Sequence, residues 1–218
     1  MTAEPATILI PEVTVYDAAD DRDVVLRDVV IDADYARDER GNVVYLDIDE
    51  AHAYLAERGK TLPSLPLLVN AYLELSEMAA GNAAAAQLLG QLNASWDRTG
   101  TTLSPDGDIR HHDARLGEVV CRGLDAPLQG NSLDDIYAGN EAFFRALLGL
   151  RDIGRLLRVT GEEDKTPFYW YPRGERIAMF GGGDFYHMHQ YLPGLLMVFC
   201  DDEPHPRRVV RGVHRIRD

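Results

Sequence analysis

Hydrophobic and polar positions change their period twice along the chain. Residues 7–47 read as β-rich. Thr7–Ile10 and Val13–Tyr16 are β-prone runs divided by Pro11, and Val24–Ile31 is a third, entered through the acidic turn Asp17–Asp23. Arg40-Gly41-Asn42 is a turn signal ahead of the apolar run Val43–Leu46, which predicts a strand.

The middle of the chain takes a helical period. Asp49–Arg58 predicts a short helix closed by Gly59. Ser64 is placed to cap a second helix whose stripe is Leu65, Leu68, Val69, Tyr72, Leu73 and Met78. Gly81-Asn82 ends that helix, and Asn82 is placed to cap a third with Leu88, Leu89, Leu92 and Trp96 facing inward. The two together predict an αα-hairpin. Gly100–Gly117 is turn-rich, with a hairpin expected at Ser104-Pro105-Asp106-Gly107. Ser132-Leu133-Asp134-Asp135 has the form of a capping box, with Asp in the place of Glu. It predicts a helical segment to about Arg158, with core face Phe143, Phe144, Leu147 and Leu148 and breaks at Gly149 or Gly154.

From Thr166 the period returns to two, with strand candidates at Phe168–Tyr171, Arg176–Phe180, Leu195–Cys200 and Val209–Ile216. Strands, then helices, then strands predict an α+β fold rather than regular βαβ alternation. The β-rich N- and C-terminal segments are expected to pair into one mostly antiparallel sheet, packed against the central helical region. The 218 residues suit a single domain, 1–218, or one carrying a helical subdomain at about 49–158.

Composition narrows the partners. The net charge is −14, from 22 basic and 36 acidic residues. Residues 1–165 hold 15 basic and 30 acidic side chains, which leaves 7 and 6 for residues 166–218. Such a balance disfavours nucleic acid and anionic membrane as partners. The tail arginines Arg207, Arg208, Arg211, Arg215 and Arg217 alternate with valines and Ile216, as solvent-facing positions of an edge strand would. Cys121 and Cys200 make no disulfide framework and are expected to be reduced and buried. The N-terminus has no signal-peptide pattern, and the longest apolar run, Leu192–Cys200, is broken by Pro193 and Gly194, so a soluble cytoplasmic protein is expected.

Four constellations could carry chemistry. In Val43–Asp49 an apolar run ends in Asp47-Ile48-Asp49, which on a strand points both carboxylates to one side, as a hard divalent metal requires. Leu195–Cys200 followed by Asp201-Asp202 has the same form. These two stretches resemble the first and last motifs of the haloacid-dehalogenase-like phosphatases. The resemblance implies Asp47 as nucleophile, Asp49 as acid/base, and Asp201 or Asp202 as Mg²⁺ ligand. Ala51 stands where that family carries Thr or Val, and Lys165 is the late lysine on offer. Asp97-Arg98-Thr99-Gly100-Thr101-Thr102 resembles the phosphorylated motif of ion-pumping ATPases; its position after Trp96 predicts a helix exit into a hairpin instead.

His187-Met188-His189 places two imidazoles on one face if extended, a spacing used by metal sites, and His111-His112-Asp113 could add a third ligand. This stretch follows Gly181-Gly182-Gly183, which lets a backbone approach a ligand closely. Last, residues 168–191 hold eight of the 18 aromatic side chains. Tyr169, Trp170 and Tyr171, with Asp184 and Tyr186, are the expected ligand-contacting residues, because consecutive rings on a strand must face both sides. The expected function is a ligand-binding or protein-interaction module for a small molecule or protein partner, compatible with a homo-oligomer. The alternative is a divalent-metal-dependent, phosphatase-like hydrolase using the acidic strand ends or the His-x-His loop.

Overall fold

The computed structural model describes residues 6–104, 106–113, 117–122, 140–160, 168–169, 176–181, 196–200 and 208–214. Its elements run β1 (Thr7–Asp17), β2 (Arg22–Asp32), α1 (Ile48–Ala56), α2 (Leu65–Met78), α3 (Ala83–Ala94), β3 (Trp96–Leu103), β4 (Ile109–Asp113) and β5 (Gly117–Cys121), then α4 (Glu141–Leu148), α5 (Ile153–Thr160), β6 (Phe168–Tyr169), β7 (Arg176–Gly181), β8 (Leu196–Cys200), β9 (Arg208–Val209) and β10 (Val213–His214). The fold is α+β, and pairing is mostly antiparallel. The two β-rich ends do meet, β10 lying antiparallel to β2 with Val213 opposite Ile31.

The strands nevertheless form two sheets rather than one. The first has the order β1-β2-β10. The second runs β5-β4-β3-β7-β8-β6, with β9 parallel beside β3. Helix α2 lies against β1 of the first sheet and against β3 and β7 of the second. This placement explains why Leu65–Leu73 and Leu75 are all buried: the expected apolar stripe widens into a helix covered nearly all round. Ser64 caps it as expected, its Oγ accepting from Leu67 N–H, and Asn82 caps α3 through Ala84 and Ala85 N–H.

The second sheet exists because of a strand that sequence patterning hides. Trp96 does not end α3 but opens β3: Ser95, at φ −131° and ψ 169°, has already left the helix. All eight residues of β3 are buried, including Asp97, Arg98, Thr99, Thr101 and Thr102. A polar run reads as exposed, but a buried polar group is stable once it is hydrogen-bonded. Thr99 Oγ1 donates to Ala178 O at 2.6 Å, and Asp97 is paired with Arg211, 114 positions away. The expected hairpin after β3 is present, with Gly107 at φ +84° and its N–H donating to Ser104 O.

Three further expectations change. Val43–Leu46 forms no strand. It makes one isolated bridge, Arg37 with Val43, before the chain turns into the cap of α1. Pro11 does not divide β1, which pairs with β2 in one register from Thr7 to Asp17. Instead the buried side changes phase across it, from Ile8 and Ile10 to Val13 and Val15, opposite Asp28 at φ +52°. Proline is tolerated there because β1 is an edge strand, where the missing N–H breaks no ladder bond.

The tail is not an outward-facing edge strand either. Residues 208–214 join the two sheets, β9 to β3 and β10 to β2, and Arg211 between them is fully buried. Its Nε donates to Asp97 Oδ1 at 2.9 Å and its Nη1 to Asp32 O at 2.9 Å, and its guanidinium carbon lies 4.9 Å from the Tyr35 ring centre. Burial pushes the Asp97 carboxyl up, while Arg211 and Ser95 pull it down. Beside this pair the Asp32 carboxylate accepts from Lys60 Nζ, 2.9 Å from each oxygen, and lies 2.8 Å from His214 Nε2.

The helical segment expected to reach Arg158 is split at Gly149, which ends α4 in the left-handed region at φ +61°; its proposed capping box at Ser132–Asp135 lies outside the described residues. A Cβ at Gly149 would sit 2.5 Å from Pro66 Cβ and 2.9 Å from Val15 Cγ1. Gly149→Ala is therefore expected to destabilise the fold by about 2–4 kcal/mol, from left-handed strain plus overpacking. Urea unfolding checks this, and a loss under about 1 kcal/mol would mean the neighbours yield freely.

Candidate functional site

Three distant segments converge where the β1–β2 turn, β5 and α4 meet. Tyr16 N–H donates to Gly149 O at 2.8 Å, tying the end of β1 to the turn after α4. Asn70 of α2 donates its amide to Pro66 O at 2.8 Å and Gly149 O at 3.0 Å, which fixes α4 against α2. His111 of β4 holds α4 from below. Its Nε2 lies 3.0 Å from Ala146 O, and a carbonyl can only accept, so Nε2 carries the proton. Nδ1 then accepts from the Thr101 hydroxyl at 2.9 Å, and Thr101 Oγ1 in turn accepts from Leu65 N–H at 2.9 Å. This relay runs from the first residue of α2 through β3 and β4 to α4.

Above the relay lies a groove of about 600 Å³, open to solvent among the described residues. Tyr16, Ala18 and Ala19 form one wall, Val120 and Arg122 the second, and Glu141, Ala142 and Arg145 the third, with Cys121 and Ala146 at the floor. Tyr16 is braced from behind: its hydroxyl donates to Asp21, and the Arg151 guanidinium lies 4.3 Å from its ring centre. Arg151 also donates to Asp21 and Asp23, and its hydrogen bond is the main reason the Asp21 carboxyl sits below the usual range. Glu141 and Arg145 form an ion pair one turn apart on α4.

A narrow cleft continues beneath the groove and brings Cys121, His111 and Asp17 to one lining. These are the residue types of a thiol protease triad, but the arrangement lacks its chemistry. Both ring nitrogens of His111 are spent on Thr101 and Ala146, so neither can take a proton from sulfur. Burial drives His111 down to about 4, so the ring is neutral, and burial together with the Asp17 charge pushes the Cys121 thiol up. A nucleophilic cysteine needs the opposite shift. The region instead presents an apolar floor, an aromatic wall and a polar rim.

The residues singled out in the sequence fall elsewhere. Asp47 is the N-cap of α1: its Oδ1 accepts from Glu50 N–H at 2.8 Å, and Glu50 Oε2 accepts from Asp47 N–H at 3.1 Å. Asp49 lies exposed in the first turn of α1, where an acid favours the helix dipole. It sits one turn before His52, whose ring meets His112 of β4 edge-on at 6.1 Å. The acidic motif and the His111-His112 stretch thus approach one another through His52, a residue the sequence reading passed over. Burial is the main cause that holds the His52 ring below its ordinary value; His112 adds to it and Asp49 opposes it.

Tyr169 lies in β6, an end strand of the larger sheet, opposite Val198 of β8. Trp170, Tyr171, Asp184, Tyr186, His187, His189, Asp201 and Asp202 lie outside the described residues. Among the described residues no three of His, Cys, Asp and Glu are grouped to hold a metal ion, and no helix is long and apolar enough to cross a membrane. Cys121 is a buried free thiol, as expected. The groove residues Tyr16, Cys121, Ala142 and Ala146 carried no signal in the sequence, because no local pattern joins a strand end, a second strand 105 residues on and a helix beyond it. The chain matches no family model, and no curated protein or solved structure is significantly similar to it.

Proposed function

We propose that the protein is a ligand-binding module that takes a small, partly apolar molecule in the groove between Tyr16, Cys121 and Ala142. The observation that carries this reading is the groove itself. Its volume, about 600 Å³, falls in the range of small-molecule sites. Its floor is made of small side chains, so a ligand can sit deep, and its α4 wall is held in place by buried hydrogen bonds. A pre-fixed wall lowers the ordering cost of association. The neutral thiol and the fully engaged imidazole beneath it favour recognition over covalent chemistry.

Ala142 is exposed on α4, so an indole placed there fills the groove without entering the core. Ligand-observed NMR against a library of small acids, amides and aromatic alcohols is expected to give wild-type binders with Kd below about 1 mM. Ala142→Trp is expected to weaken them at least tenfold with the melting temperature essentially kept. Binders indifferent to that substitution, or no binders, would refute the groove as the site.

A further inference from the structure

Four histidines lie among the described residues, and they divide into two kinds. His111 is hydrogen-bonded on both nitrogens, and His214 Nε2 lies 2.8 Å from Asp32. His52 and His112 are half-buried, and neither ring has a hydrogen-bond partner among the described residues. Their ring nitrogens are therefore not committed to another group among the described residues.

Their spacing lies at the outer limit of what one ion can bridge, reached when the two nitrogens stand nearly opposite each other across the metal. Metal–nitrogen bonds of about 2.0–2.1 Å put an imidazole centre about 3.2 Å from the metal, so two rings on one ion have centres no more than about 6.4 Å apart. The rings of His52 and His112 are 6.1 Å apart, at 68° to each other. They come from separate elements, α1 and β4, each backed by the core through Ala51 and His111. The backbone of Gly100 packs closely against both: a Cβ there would lie 2.7 Å from His112 O and 3.6 Å from His52 Cε1. Asp49, one turn earlier on α1, adds a negative charge on the His52 side.

We infer that His52 and His112 form a two-imidazole site for a divalent transition-metal cation. Imidazole ligands select Zn²⁺, Ni²⁺ and Cu²⁺ over the oxygen-seeking Mg²⁺ and Ca²⁺. With no third protein ligand grouped there among the described residues, the ion keeps water in its remaining positions. The site is separate from the groove and independent of its ligand.

The test is calorimetric titration of the full chain with NiCl₂ at pH 7.5, repeated on His52→Phe and His112→Phe. Phenylalanine keeps the edge-on ring contact and removes the nitrogens. Wild type is expected to bind Ni²⁺, each Phe variant to lose at least tenfold in affinity at that site, and Ni²⁺ to raise the melting temperature of wild type alone. His187→Ala/His189→Ala is expected to leave the site intact. In the unaltered protein, substoichiometric Cu²⁺ should broaden the ring proton signals of His52 and His112 before those of His111 and His214. The inference is overturned by absence of Ni²⁺ binding, by binding that both Phe variants retain, or by the reverse order of broadening.

Discussion

Arg211→Met is expected to destabilise the protein by roughly 3–5 kcal/mol, the usual cost of breaking a buried ion pair from one side. Arg211 and Asp97 are both fully buried, so the substitution leaves a carboxylate with the Ser95 hydroxyl in place of a full counter-charge. It also frees Asp32 O, which stood 2.9 Å from Nη1. In a chain of this size that corresponds to a fall in melting temperature of roughly 6–20 °C. Adding Asp97→Asn to Arg211→Met should recover part of the loss, because the orphaned charge, more than the missing contact, carries the cost. Arg27→Met is the control: Arg27 faces Glu12 at 3.8 Å on the exposed side of the first sheet, and its loss should cost less than about 1 kcal/mol. Equal effects at Arg211 and Arg27 would contradict the placement of residues 208–214 between the sheets.

Acid is expected to weaken the fold from about pH 6.5 downward. Burial holds the His111 ring down at about 4, against the opposing pull of Ala146 O, Asp113 and Asp17, whereas an unperturbed imidazole titrates near 6.5. The unfolded chain therefore takes up this proton first as pH falls. Stability from this group is complete above about pH 6.5, declines through the interval below it, and is lost by about pH 4, a total of about 3 kcal/mol. His52, also held below its ordinary value, acts in the same direction. His111→Gln isolates the larger contribution, since a glutamine amide can still donate to Ala146 O but does not titrate. Urea unfolding between pH 7 and pH 4.5 should show a clearly shallower loss for the variant. An identical slope would mean that the ring is not buried neutral in the relay.

Fold class was legible because it rests on period, and period is local. The caps at Ser64 and Asn82, the Ser104–Gly107 turn and the core face of α4 could each be read within one or two helical turns of sequence. What stayed hidden depends on partners far along the chain. Asp97–Thr102 looks solvent-exposed until Arg211 and Ala178 are placed beside it. Arg211 looks like one more surface arginine until the chain passes between two sheets. Asp47 followed by Asp49 does suggest a metal site, but the same spacing builds a capping box when Glu50 follows, and that local bond prevails here. The groove was the least legible feature, since four of its ten lining residues are alanines and its shape comes from packing rather than from residue type.

The groove as a binding site is tested most directly by methyl-resolved NMR on protein labelled at its alanines, titrated with the tightest fragment from the library. The methyls of Ala18, Ala142 and Ala146 are expected to shift together and saturate at one ligand per chain, while that of Ala53, exposed on α1 away from the groove, stays in place. Saturable shifts that miss Ala18, Ala142 and Ala146 would contradict the account.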